Sequence, residues 1–133
     1  MKILIVDDSA FMRKILRDLV AQSKWATAEV SEAGSGDEAI AICQTEKPDL
    51  TLLDIVMPGK DGMEVLREMG RALPSVVIVS SMGQNSVVDQ AKSLGAKDYI
   101  VKPFDAKLVI ESLNKLYPVE SATPEVPPPR QEP

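Results

Sequence analysis

Five residues in this chain have side chains and positions suited to chemistry. Asp7 and Asp8 follow the apolar run Ile3-Leu4-Ile5-Val6, and Asp54 follows Leu50-Thr51-Leu52-Leu53. Ser80 follows Val76-Val77-Ile78-Val79, and Lys102 follows Tyr99-Ile100-Val101. The chain has no histidine and one cysteine, Cys43. That inventory removes a Ser-His-Asp triad, a Cys-His pair, a histidine zinc site and any intramolecular disulfide. Oxygen chemistry remains. Three clustered carboxylates repel one another, and a hard divalent cation relieves this. Mg2+ suits such a site because it takes one or two carboxylates, keeps several waters and leaves room for phosphate oxygens. With Lys102 on a second phosphoryl oxygen and Ser80 donating a hydrogen bond, the charge of phosphoryl transfer is neutralised. The reacting group would be a carboxylate nucleophile. Asp54 is the best candidate, since the cation and the lysine can both flank it.

Each residue also has a plainer reading. Asp7, Asp8 and Ser9 suit a helix N-cap. Ser80 suits a turn, and Lys102 a solvated strand end. Pro103 argues for more at Lys102, because it restricts the turn that carries the ammonium; the sequence leaves the isomer of the Lys102-Pro103 bond open. Asp54 lies in Leu52-Leu53-Asp54-Ile55-Val56-Met57, where a carboxylate without a cation or hydrogen-bond donors is expensive. Met57-Pro58-Gly59-Lys60-Asp61-Gly62 reads as a turn.

The four apolar runs are short and nearly continuous, as parallel strands covered on both faces should be. A fifth strand, around 27–33, alternates Ala28, Glu29, Val30 and Ser31 and belongs at a sheet edge. Between the strands, amphipathic stretches predict five helices. The first, about 10–22, carries Phe11, Ile15 and Leu19 beside Met12, Leu16 and Val20. The others cover about 36–45, 62–70, 84–94 (ended by Gly95) and 105–116, the last marked by Leu108, Val109, Leu113 and Leu116. Five such βα units make an α/β fold: one open five-stranded parallel sheet with helices on both faces. Ligands of such sheets bind beyond the carboxyl ends of the strands, where all five residues fall.

Composition and charge bound the partners. The chain has 133 residues with a formal net charge of −5, which argues against nucleic acid or an anionic membrane as the main partner. No apolar run approaches the roughly 20 residues of a membrane helix, the N-terminus has no cleavable signal pattern, and the expected location is cytoplasmic. Six of the ten prolines lie from Pro118 onward, so the folded unit is expected at 1–117 and a disordered proline-rich tail at 118–133.

Taken together, the acidic pair Asp7-Asp8, Asp54 with Met57-Pro58, Ser80, and Lys102-Pro103-Phe104 after Tyr99 resemble a response-regulator receiver domain of the CheY-like, stand-alone chemotaxis type. The resemblance covers 1 to about 117. It implies strand order 2-1-3-4-5, as in flavodoxin and CheY, which are the standard examples of that order. It further implies a two-component signalling protein that is a phosphoacceptor regulator, not an enzyme. Asp54 would accept a phosphoryl group from a sensor histidine kinase. Asp8 and Asp54 would hold Mg2+ by side chain, Val56 by backbone carbonyl and Asp7 through water. Lys102 would pair with the phosphoryl group and Ser80 would hydrogen-bond to it. Ser80 and Tyr99 would act as the switch for a surface on the fourth helix, fifth strand and fifth helix, although Tyr99 reads equally well as a fixed core aromatic. That surface, with Gln84, Val87, Gln90, Lys107 and Ser112, would take a downstream protein such as a flagellar-switch peptide, or a second copy in a weak dimer. Val56 and Met82 are apolar where receivers often carry polar residues beside the hydrolytic water, which predicts slow loss of the phosphoryl group.

Three alternatives stay open. One is a receiver whose effector domain follows the tail, and Ser80-Ser81-Met82-Gly83 is similar to receivers of chemotaxis methylesterases. An aspartate-based Mg2+ phosphatase would want a second aspartate at Val56. A flavodoxin-like cofactor module would want a phosphate-binding loop where Asp7-Asp8 stand.

Overall fold

The structure is a computed structural model, and it describes residues 1–70 and 72–117. The expected tail at 118–133 lies outside the described residues. The elements are β1 (Lys2–Val6), α1 (Ala10–Ala21), β2 (Glu29–Ala33), α2 (Gly36–Glu46), β3 (Leu50–Leu53), α3 (Gly62–Met69), β4 (Val76–Ser80), α4 (Asn85–Ser93), β5 (Asp98–Val101) and α5 (Ala106–Lys115). The five strands pair in parallel in the order β2-β1-β3-β4-β5. This is the doubly wound, flavodoxin-like arrangement expected from the sequence.

Side-chain alternation sorts the core into two layers. Leu4, Val6, Leu53, Val76 and Ile78 pack with Ala39 and Cys43 of α2, Val65 and Leu66 of α3 and Ala91 of α4. Ile3, Ile5, Leu50, Leu52, Val77 and Val79 point the other way, to Leu16, Leu19 and Val20 of α1 and Val109 and Leu113 of α5. Both faces of β1, β3 and β4 are therefore apolar, which is why their sequences run without alternation. At the edge, β2 shows a mostly half-buried pattern and begins two residues later than expected, because Trp25 to Ala28 form a turn closed by the Ala28 amide on the Trp25 carbonyl at 2.9 Å. Trp25 is fully buried beneath α5: its indole donates to the Leu113 carbonyl at 2.8 Å, and its ring meets Tyr117 edge-on at 5.3 Å.

Three expectations about individual side chains need correcting. Phe11 is 73% exposed, because the buried stripe of α1 begins one position over, at half-buried Met12, and continues through Leu16, Leu19 and Val20. Leu108 is 52% exposed, so α5 faces the sheet with Val109 and Leu113. Ser112, expected on a docking surface, is buried and donates to Asp98 Oδ2 at 2.7 Å. Gly95 does end α4 with a left-handed conformation, φ +117°.

Candidate functional site

The strand order brings the ends of β1 and β3 together, since Val6 pairs with Leu53. The ladder runs one step further, with the Asp54 amide donating to the Val6 carbonyl at 3.0 Å and the Asp7 amide to Ala33 at 3.1 Å. Asp7 and Asp54 are thus the first residues past two adjacent central strands, and their backbones are still held by the sheet. They are buried, 1% and 5% exposed, whereas Asp8 is exposed at the rim. One carboxylate oxygen from each of the three lies within 4.8 Å of the others.

Lys102, the residue after β5, reaches across to this group. Its ammonium donates to Asp7 Oδ2 at 2.7 Å and to Asp54 Oδ2 at 3.1 Å. The lysine backbone is fixed by its amide on the Ser80 carbonyl at 2.8 Å, next to a cis Lys102-Pro103 bond. Burial raises the Asp54 pKa, and the hydrogen bond and charge of Lys102 only partly offset this. For Lys102 burial works against the ammonium, but hydrogen bonds to Asp7 and Asp54 outweigh it, and its pKa is raised.

The second oxygens of Asp7 and Asp54 are also engaged. Asp7 Oδ1 accepts the Ser9 amide at 2.9 Å, and Asp54 Oδ1 accepts the Val56 amide at 3.1 Å. Ser9, not an aspartate, caps α1 by accepting the Met12 amide at 3.2 Å. This separates the two readings of Asp7-Asp8-Ser9: the serine serves the helix and leaves the acids to the site.

The segment after Asp54 is shaped for close approach. A Cβ on Gly62 would lie 2.0 Å from the Asp54 carbonyl oxygen, and the Gly62 amide donates to Ile55 at 2.9 Å. Asp61 and Glu64 form a reciprocal capping box that starts α3 there. Gly59 takes φ +73° in the preceding turn. The sequence marked this stretch only as a turn; the Asp-Gly step before an apolar helix is the signal for the tight contact.

Ser80 is buried at the end of β4, and its hydroxyl accepts the Met82 amide at 3.2 Å. No hydrogen bond joins it to Asp54 among the described residues. Tyr99 is half-buried against the core, and its hydroxyl donates to the Met82 carbonyl. Ser80 and Tyr99 therefore hold the same β4–α4 loop at neighbouring points of one residue. Val56, two residues past Asp54, is 50% exposed, and Met82, two residues past Ser80, is half-buried. Gln84, Gln90 and Lys107 are exposed and Val87 is half-buried, so these stay on the surface from which Ser112 is removed. An apolar groove of about 340 Å³, lined by Met12, Ile15, Leu19 and Phe104, opens beside Lys102.

Three carboxylates against one ammonium leave an excess of two negative charges in an all-oxygen donor set. That is what a hard divalent cation matches. The fold and this site define a doubly wound α/β protein with an acidic, lysine-bridged centre at the carboxyl ends of its strands.

Comparison with known proteins narrows that class. Residues 3–114 match the response regulator receiver domain family, and the chain belongs to it. The chemotaxis protein CheY of Thermotoga maritima is 40% identical over 117 residues, covering 86% of this chain and 96% of that relative. The solved CheX-CheY-BeF3-Mg+2 complex from Borrelia burgdorferi is similar with a TM-score of 0.79 and 30% identity, covering 87% of this chain and 88% of that one. The response regulator domain of Thermotoga maritima CheB aligns with a TM-score of 0.75 and 32% identity, covering 87% and 92%. The protein is a CheY-like receiver domain of two-component signalling, with chemotaxis proteins among its relatives.

Proposed function

We propose that this protein carries a signal by accepting a phosphoryl group on Asp54 from the phosphohistidine of a sensor kinase, with Mg2+ bound. The observation that carries this is the convergence of Asp7, Asp54 and Lys102: two buried carboxylates share one ammonium, with a third carboxylate at the mouth. Asp8 and Asp54 by side chain, Val56 by carbonyl and Asp7 through water would hold the cation. The bound cation would supply positive charge to phosphoryl oxygens. An Asp54 oxygen attacks phosphorus, the O–P bond forms as the histidine N–P bond breaks, and the imidazole nitrogen leaves with the electron pair. Lys102 follows the transferred charge, and the Ser80 hydroxyl turns from the Met82 amide to a phosphoryl oxygen.

Loss of that Ser80 contact frees the loop that Tyr99 also holds, which gives the switch a physical route to the surface of α4, β5 and α5. There a downstream protein, such as a flagellar-switch component, would dock. The cytoplasm is the setting in which kinase and target would meet it, as a monomer or weak dimer. No helix among the described residues is long and apolar enough to cross a membrane. The folded unit would be 1–117, with 118–133 as its tail. The similarity to the CheB receiver supports a second reading, in which the same phosphoacceptor controls an effector domain. The missing acid at Val56 weighs against the phosphatase, and the acidic pair against flavin.

The test is incubation with a small acyl phosphate and Mg2+, followed by intact mass. Wild type is expected to gain one phosphoryl group that chelation of Mg2+ prevents, while Asp54→Asn gains none. Equal modification of both would place the acceptor elsewhere.

A further inference from the structure

Arg13 lies outside every motif named above, yet it contacts the acidic centre. Past β1 the Asp7 amide still donates to Ala33, but β2 ends there and the chain turns through Gly34 and Ser35 into α2. The next donor that a continued strand would offer to the Asp7 carbonyl is therefore missing. Arg13 supplies it. Its Nη1 donates to the Asp7 carbonyl at 2.6 Å while its Nε donates to Glu32 Oε1 at 2.9 Å. The guanidinium lies against Gly34, where a Cβ would stand 3.4 Å from Nη1. Its side chain is 19% exposed, so the fork is largely shielded from water. Arg17, one turn on and 47% exposed, bonds the other oxygen of Glu32 at 2.9 Å and, among the described residues, makes no hydrogen bond to Asp7.

We propose that Arg13 is a positioning residue of the cation site: its fork ties the Asp7 peptide to Glu32 at the end of β2 and so fixes the direction of the Asp7 carboxylate. This rests on the reading of Asp7, Asp8 and Asp54 as a Mg2+ site. A planar guanidinium reaches both acceptors at once, and a lysine ammonium on its flexible stem does not reproduce that fork. Charge and geometry separate cleanly in the Arg13→Lys variant, which keeps the positive charge and loses the fork. Partners that orient metal ligands are worth 10–100-fold in affinity in other proteins.

The experiment is a calorimetric Mg2+ titration of wild type, Arg13→Lys and Arg17→Lys, with urea unfolding of each. Arg13→Lys is expected to bind Mg2+ about 10-fold more weakly, while Arg17→Lys, the same change at the other oxygen of Glu32, binds as wild type does. Wild-type affinity in Arg13→Lys, or equal weakening in both variants, would overturn the proposal. If Arg13→Lys does not unfold cooperatively, Glu32→Gln replaces it. It leaves the guanidinium in place but loosens its anchor, and unchanged affinity there contradicts the proposal equally. Absence of saturable Mg2+ binding in wild type would instead remove the cation reading itself, and this inference with it.

Discussion

The Lys102 ammonium is bound to Asp54 at 3.1 Å and at the same time holds Asp7 at 2.7 Å, so a residue from the end of β5 bridges acids from the ends of β3 and β1. Without an ion, the lysine is the counter-charge of the site. Removing it as Lys102→Met leaves two buried carboxylates unpaired. Breaking a fully buried pair costs about 3–5 kcal/mol, and the partial exposure of the ammonium reduces this to roughly 2–3 kcal/mol. Urea unfolding without Mg2+ is expected to show that loss. Mg2+ should bind the variant several-fold more tightly, since a positive charge has gone, while phosphoryl transfer slows. Unchanged stability would mean that the ammonium does not bridge the pair.

The raised pKa of Asp54 fixes the sign of a second effect. A group titrating higher in the fold than in the unfolded chain contributes stability below its unfolded pKa and loses it as pH rises through the folded value. At neutral pH without Mg2+, the ionised Asp54 therefore costs stability, and Asp54→Asn is expected to unfold at a higher urea concentration than wild type. The gap should close on acidification, as folded wild type takes up the proton before the unfolded chain does. Urea midpoints across that range measure it, and a gap that widens toward acid would reverse the assignment.

Gly62 and Gly59 make opposite demands on space. At Gly62 a methyl group would stand 2.0 Å from the Asp54 carbonyl oxygen, so Gly62→Ala must push α3 off the site. It is expected to lose about 3 kcal/mol by overpacking and most phosphoryl acceptance. At Gly59 nothing lies within 4 Å, and only the left-handed φ of +73° is strained, so Gly59→Ala should cost about 1 kcal/mol and leave acceptance intact. Equal losses in the two variants would show that backbone strain alone governs this turn.

Val56, two residues past Asp54, is 50% exposed and Met82, two residues past Ser80, is half-buried, and both side chains are apolar. Neither orients water, so the acyl phosphate is expected to decay slowly. The double variant Val56→Asn, Met82→Glu should shorten its lifetime by about 10-fold, less than the roughly 10²–10⁴-fold that a fully positioned general acid or base typically contributes. The decay is followed by intact mass after removal of the phosphodonor. Equal lifetimes would show that water reaches the phosphoryl group by another path.

Much of this was legible in the sequence because strands buried on both faces write themselves as unbroken apolar runs, and each run ended in a residue with chemistry. Asp54, Asp7 and Lys102 could be placed at one rim from that pattern. Phe11 and Leu108 lie outside the buried faces because the apolar stripes of α1 and α5 are wider than the faces they bury, and only packing decides which edge is left in water. Ser112 turns inward because its half-buried partner, Asp98, comes from the start of β5, far away in sequence. Arg13 carries no sequence signal, and Gly62 shows only as the end of a turn. Their importance lies in backbone atoms, the carbonyls of Asp7 and Asp54, which no side-chain pattern reports.

The most direct test is a crystal structure with Mg2+ and a beryllofluoride mimic of the phosphoryl group. The account predicts an ion bound by Asp8, Asp54 and the Val56 carbonyl at about 2.0–2.1 Å, the mimic on Asp54, and Lys102 shifted from Asp7 to the mimic. An ion bound away from these acids, or a mimic bound to any side chain but Asp54, would contradict it.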